Sequence, residues 1–273
     1  MKLFPPFIQG LLLAGAVLGA RLTTAAEHHV VFIIAEDQYR AAESLPEFAK
    51  DFLSPRPEYR ITFLNQSTED KYHLAGLVAL KQADLVVLYV RRRSLLPEDM
   101  AFFKDYLSAG NPLLALRTSS HAWDTRNRGP RDQVEWKTFD PEVLGGNYQG
   151  HHADGIETTI AVVPGMEAHP ILMGVDLSRL IGKGSLYKAS PLSPRAQVIL
   201  VGSIPGASTE PVLWQHPYGR GRVVYTSLGH PGDFAQPNFN RLLLNAIRHL
   251  LNSSPLPDSR TRRRPLSPPT KLP

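Results

Sequence analysis

The strongest pattern in the chain is a set of apolar runs with no polar gap. His29–Ala35 (HVVFIIA) does not alternate and is rich in β-branched residues, which predicts a strand buried on both faces, as in a parallel sheet. Tyr59–Asn65 (YRITFLN), Asp84–Val90 (DLVVLYV) and Pro112–Thr118 (PLLALRT) predict three more strands. Helical stretches fall between them, near Ser44–Leu53, at Leu74–Ala83 and from Pro97 to Gly110. Pro97-Glu98-Asp99 places a proline and two acids in a first turn, where no N–H is needed and negative charge meets the positive end of the helix dipole. Gly110 suits the left-handed residue that closes a helix. Strands alternating with helices at this spacing build βαβ units and a parallel sheet.

The pattern changes after residue 150. Glu157–Val163, Gln197–Gly202, Pro211–Gln215 and Gly221–Leu228 are shorter strands, read as antiparallel additions, with Gly219-Arg220-Gly221 as a turn. Phe239–Leu251 is a closing amphipathic helix. The expected fold class is α/β: a three-layer, flavodoxin-like α/β/α domain over residues 27–251, with a mainly parallel sheet plus antiparallel additions. Trp123–Gly150 is a long Gly/Pro-containing insertion without a periodic pattern, and loops of that length tend to be functional.

The two ends differ from this core. Lys2 precedes the apolar stretch Phe7–Ala20, and Thr24-Ala25-Ala26 offers small residues for cleavage, so residues 1–26 read as a signal peptide and the protein as exported, periplasmic or secreted. The apolar stretch is shorter than the about 20 residues of a bilayer span, so no stable membrane span is expected after cleavage; the competing reading is an uncleaved anchor. Residues 252–273 hold six prolines and Arg262-Arg263-Arg264, which predicts a disordered basic tail. These ends carry more than the whole net charge of +5, through Lys2 and Arg21 on one side and Arg260, Arg262, Arg263, Arg264 and Lys271 against Asp258 on the other, which leaves the core at −1. The near-neutral core has no electrostatic footprint for nucleic acid. Ten histidines and no cysteine exclude a thiol nucleophile, a disulfide framework and cysteine metal sites.

In open α/β sheets ligands bind beyond the carboxyl ends of the strands. Glu36, Asp37, Tyr39 and Arg40 follow the first strand and Arg91, Arg92 and Arg93 the third. Arg117, Ser119, His121 and Trp123 follow the fourth, and His230 and Asp233 the last. The Gly150–Gly155 loop can bring His151 or His152 to the same edge, although adjacent side chains point apart. There is no Gly-x-Ser-x-Gly elbow, and Gly182-Lys183-Gly184-Ser185 lacks the upstream glycine of a phosphate-binding loop.

The elements Leu116-Arg117-Thr118-Ser119-Ser120-His121, Leu144-Gly145-Gly146-Asn147-Tyr148, His151-His152, His169-Pro170-Ile171-Leu172, Ser185-Leu186-Tyr187-Lys188 and Tyr225-Thr226-Ser227-Leu228-Gly229-His230 occur in this order. Together they resemble the ThuA-like, or trehalose utilisation, family, whose fold is similar to class I glutamine amidotransferases. The amidotransferases place a cysteine at the turn after a strand and pair it with the histidine of a His-Pro-Glu sequence. Here Arg117-Thr118-Ser119 stands at that turn and His230-Pro231 is followed by Gly232-Asp233, so glutamine hydrolysis through a thioester is excluded.

The resemblance implies carbohydrate metabolism on a sugar or keto-glycoside. The expected catalytic residues are His230, His152 and His121, with His230 and His152 converging on one cleft and exchanging protons. Arg117, Ser119, Trp123, Tyr39, Glu36 and Asp233 are the expected substrate contacts, the aromatics stacking on sugar faces. A divalent metal (zinc, manganese or iron) on His152 and His230 is the other use of those histidines. The partner is a small-molecule carbohydrate, and a homo-oligomer is left open. The competing reading is a non-catalytic carbohydrate-binding module on the same fold.

Overall fold

The computed structural model describes residues 28–253 and Leu256. Residues 1–26 and most of 252–273 lie outside it, so the expected signal peptide and basic tail fall outside the described residues. Among the described residues nine strands form one sheet: β1 His28–Ala35, β2 Tyr59–Asn65, β3 Leu85–Val90, β4 Leu113–Leu116, β5 Thr158–Val162, β6 Ile181–Gly182, β7 Gln197–Ser203, β8 Glu210–Tyr218 and β9 Gly221–Thr226. The helices are α1 Ala41–Phe52, α2 Pro97–Ser108, α3 Pro231–Phe234 and α4 Pro237–Asn252. None of the described helices is long and apolar enough to cross a membrane.

The strand order is β2-β1-β3-β4-β9-β8-β7-β5-β6. The pairings β2–β1, β1–β3, β3–β4 and β4–β9 are parallel. Those between β9, β8, β7, β5 and β6 are antiparallel. The sheet is therefore mixed, which corrects the expected mainly parallel sheet. The late strands extend the sheet beyond β4, as antiparallel additions: β9 pairs parallel with β4, and the two-residue Gly219-Arg220 turn runs it back against β8.

The apolar runs explain the layers. Along β1, Val30, Phe32 and Ile34 face one core with Leu45 and Phe48 of α1 and Leu243 and Ile247 of α4. Val31, Ile33 and Ala35 face the other, with Phe103 and Leu107 of α2. Residues two apart share a face, so a continuous run feeds both cores. Leu77–Gln82, expected as part of a helix, is a 3₁₀ segment on the second core. The long insertion is packed in part: Trp136, Phe139, Val143 and Leu144 are buried in that core. At the far end α4 runs to Asn252, and the Leu256 N–H donates to the Arg220 carbonyl at 2.9 Å.

Successive parallel connections place β2 on one side of β1 and β3 on the other. That reversal opens a crevice at the carboxyl ends of β1 and β3, where such folds hold ligands.

Candidate active site

β4 stops at Leu116 because Arg117 turns into the left-handed region, with φ 44°. That conformation is unfavourable for a residue with a Cβ and is held by its surroundings. The Tyr225 hydroxyl donates to the Arg117 carbonyl at 2.6 Å. In the 3₁₀ turn that follows, Arg117–His121, Thr118 Oγ1 donates to the Val90 carbonyl at 3.0 Å and Ser119 Oγ to the Leu88 carbonyl at 2.9 Å. The side chain of Arg117 is thereby presented at the carboxyl edge of the sheet.

Its guanidinium lies 4.3 Å from the ring centroid of Tyr39 and 4.8 Å from that of Tyr187. Nη1 donates to the Ser227 carbonyl at 2.9 Å, and Nη2 reaches the Tyr39 hydroxyl and Ser185 Oγ, each at 3.4 Å. A Cβ on Gly184 would stand 2.6 Å from Cζ of Arg117, so only glycine lets the guanidinium seat there. The side chain is 1% exposed and its Nε has no partner.

His230 sits opposite, as the N-cap of α3. Its Nδ1 accepts the Gly232 N–H at 3.1 Å. An accepting Nδ1 assigns the proton of the neutral ring to Nε2. The ring meets Tyr39 edge-on at 5.8 Å. Burial, with Arg117 nearby, holds its proton affinity below the ordinary value, against the pull of Asp233 and Asp154. Arg117, Tyr39 and His230 line a recess of about 430 Å³ together with Arg91, His151, Lys183 and Ser185.

A second recess, about 460 Å³, lies alongside and shares His151. It is lined by His121, Asp140, Tyr148 and Arg92. His121 stacks on Tyr148 with centroids 4.5 Å apart, and its Nδ1 is 3.1 Å from Ser120 Oγ. Burial, reinforced by Arg92, Arg91, Arg126 and Arg117, holds His121 well below the usual histidine range, so it is neutral. Asp140 is buried, and that burial raises its carboxyl to about 7 despite the Tyr148 N–H that Oδ2 accepts at 2.7 Å. Its Oδ1 has no partner. A Cβ on Gly146 would stand 2.9 Å from Cγ of Asp140, so that glycine leaves room for the carboxyl. Tyr187 joins the two recesses, with its ring 4.8 Å from Tyr148 and 6.3 Å from His151.

The structure thus brings together His230, Tyr39 and Arg117, and places His121 in the adjoining recess. It turns other expected contacts inward. Glu36 accepts three backbone N–H groups, from Gln38, Tyr39 and Ala41, and fixes the β1–α1 turn. Asp233 accepts from Lys183, Gly229 and His230. Ser119 is spent on β3, and Trp123 is fully buried against Phe103 and Phe139. In the glycine-flanked loop His151, not His152, lines the recesses; His152 packs with its Nε2 buried and without a partner.

These placements do not fit a metal centre on His152 and His230. The carboxylates that would complete it, Glu36 and Asp233, are committed to backbone N–H groups. Among the described residues no three His, Asp or Glu side chains are grouped as ligands. Asp140 and Tyr187 are the site residues that sequence reasoning left without a role. Asp140 lies in the long insertion, and its one signal was the Gly145-Gly146 pair that follows it.

Comparison with known proteins gives the family and the fold. Residues 27–250 match the family described as ThuA, trehalose utilisation. No curated protein matches the chain. A ThuA-like protein of Bacteroides uniformis superposes with a TM-score of 0.63 at 16% identity, covering 85% of this chain and 94% of that one. One from Parabacteroides merdae gives 0.57 at 17% identity, covering 83% and 90%. The β-galactosidase of Bacillus circulans sp. alkalophilus gives 0.50 at 12% identity, covering 80% of this chain but 30% of that one.

Proposed function

Because this chain belongs to the ThuA, or trehalose utilisation, family, we propose that it is an enzyme of carbohydrate metabolism acting on a sugar or keto-glycoside by proton transfer. The observation that carries the reading is Asp140, whose buried carboxyl is raised to about 7 and which lines one recess with neutral His121. A carboxyl that is half protonated near neutral pH can both take and give a proton. His121 supplies a neutral imidazole at the same recess, and His230 supplies Nε2–H from the neighbouring one. Tyr39 and Tyr148 offer aromatic faces to a sugar ring, and Ser185 and the tyrosine hydroxyls offer partners for its hydroxyls. Glu36 and Asp233 hold the loops that carry Tyr39 and His230 and act through position alone. No step is assigned to a metal.

We place this activity outside the cytoplasm, on the strength of Lys2, the apolar Phe7–Ala20 and Thr24-Ala25-Ala26. Mass spectrometry of the native protein tests this: a chain beginning at Glu27 supports export, and an intact Met1 in the cytoplasmic fraction refutes it.

A second reading, a non-catalytic carbohydrate module, is favoured by one observation: the fold recurs over about 30% of a β-galactosidase chain. Incubating the purified protein with a panel of sugars and keto-glycosides separates the two. Turnover that disappears in Asp140→Asn establishes the enzyme; binding without turnover establishes the module.

A further inference from the structure

We propose that the recess around Arg117 is a carboxylate subsite, so that the sugar this protein takes is an acidic one. The inference rests on the carbohydrate reading and names the substrate class of that site. Arg117 is a buried guanidinium whose partners, the Ser227 carbonyl, the Tyr39 hydroxyl and Ser185 Oγ, are all neutral. Among the described residues no carboxylate pairs with it. A buried charge without a counter-charge is costly, and proteins keep one where an anion will complete it.

Elsewhere in this molecule buried arginine is treated differently. Arg93, also buried, is tied to the Asp37 carboxylate at 3.2 Å and to Gln66. Positive residues at the same edge are paired as well, Arg92 with Asp124 at 3.4 Å and Lys183 with Glu157. Arg117, the more deeply buried, has no such acid among the described residues. Arg91 also lines the recess, and no side-chain partner is seen for it among the described residues.

The charges select the anion. Lys183 and Glu157 cancel, and Asp154, on the exposed rim, offsets one of the two arginines. One positive charge remains, which matches a singly charged carboxylate better than a phosphate dianion. The flat guanidinium held between two tyrosines is shaped for planar carboxylate recognition. The remaining space, about 430 Å³, is of the size that holds a small ligand. The subsite therefore orients a uronic or keto-acid sugar so that its ring lies across Tyr39 toward the His121 and Asp140 recess.

The test measures binding of D-glucuronate, D-glucose, tartrate and inorganic phosphate to the full chain by calorimetry at low salt. The expected result is glucuronate over glucose by about tenfold or more, as a charge-assisted contact gives. The ratio should collapse in Arg91→Gln, which lies on the half-buried edge and spares the packed Arg117, and fall in Arg117→Lys. Equal affinity for glucuronate and glucose overturns the carboxylate subsite and leaves the sugar reading standing. Tartrate binding without any sugar binding keeps the subsite and overturns the sugar reading. Phosphate tighter than either carboxylate, or no anion binding at all, overturns the subsite.

Discussion

The two recesses at the sheet edge are built from similar residues and do different work. The Arg117 charge is permanent, fixed by Tyr39, Tyr187 and the Gly184 seat, and the guanidinium gives up no proton in any ordinary pH range. Around Asp140 and His121 burial has pushed an acid up and a base down, until both can be neutral together. One recess is made to hold and the other to exchange. Distance between chemical roles is obtained here by two neighbouring environments and not by two kinds of residue.

The largest effect that would break this division is catalytic. Asp140→Asn should lower turnover by about 10²- to 10⁴-fold, the range of a lost acid/base group, while glucuronate affinity changes little. Rates and titrations on one preparation check it, and a variant that loses affinity and keeps its rate would reverse the roles.

Next in size is stability. Asp140 holds its proton in the folded chain up to about 7, whereas its ordinary value is 3.8. The folded state thus binds more protons between these values. The stability from this proton is whole below 3.8 and is lost as pH rises through about 7. Asp140→Asn removes that loss. Relative to the parent it should gain on the order of 2–4 kcal/mol on going from pH 4 to pH 8 in denaturant melts. A parallel response of both proteins would show the carboxyl to be ordinary.

Gly184→Ala sharpens the other side. Its Cβ would collide with the Arg117 guanidinium, so the variant should lose about 1–3 kcal/mol and the preference for acidic sugar together. Retained preference would mean that the seat does not set the charge. The smallest effect belongs to Trp123→Phe. Its ring is fully buried, so sugar affinity should stay within about twofold despite a measurable melting change.

Much of the parallel half was legible because a strand buried on both faces has to be apolar throughout. Tyr59–Asn65 matches β2 to the residue, and His29–Ala35 misses β1 by one. β4 ends two residues before the apolar reading does, since nothing in PLLALRT announces a left-handed arginine. The balance of parallel and antiparallel pairing was not legible, because a short apolar run does not say which neighbour it pairs with or in which direction. Arg117, Tyr39, His121 and His230, which follow strands, do line the recesses at that edge. The same rule misplaced Glu36, Ser119, Trp123 and Asp233, because following a strand says where a residue is and not which way it turns. Asp140 is visible only once burial is known: as a sequence it is one acid in a loop.

The insertion of β9 beside β4 also sets an order of events as the chain is made. Leu113 waits for Val223 and Leu116 for Thr226, while β1, β2, β3 and β4 can pair as they emerge. Contacts so far apart in sequence form late. Until residue 226 has left the ribosome, β4 presents an open apolar edge able to pair with another chain. Lys183, Ser185 and His230 come later than Tyr39, Arg91 and Arg117, so neither half of synthesis yields a complete site. A nascent chain stalled before β9 should be the aggregating species, and one released after α3 should be the first able to hold a ligand.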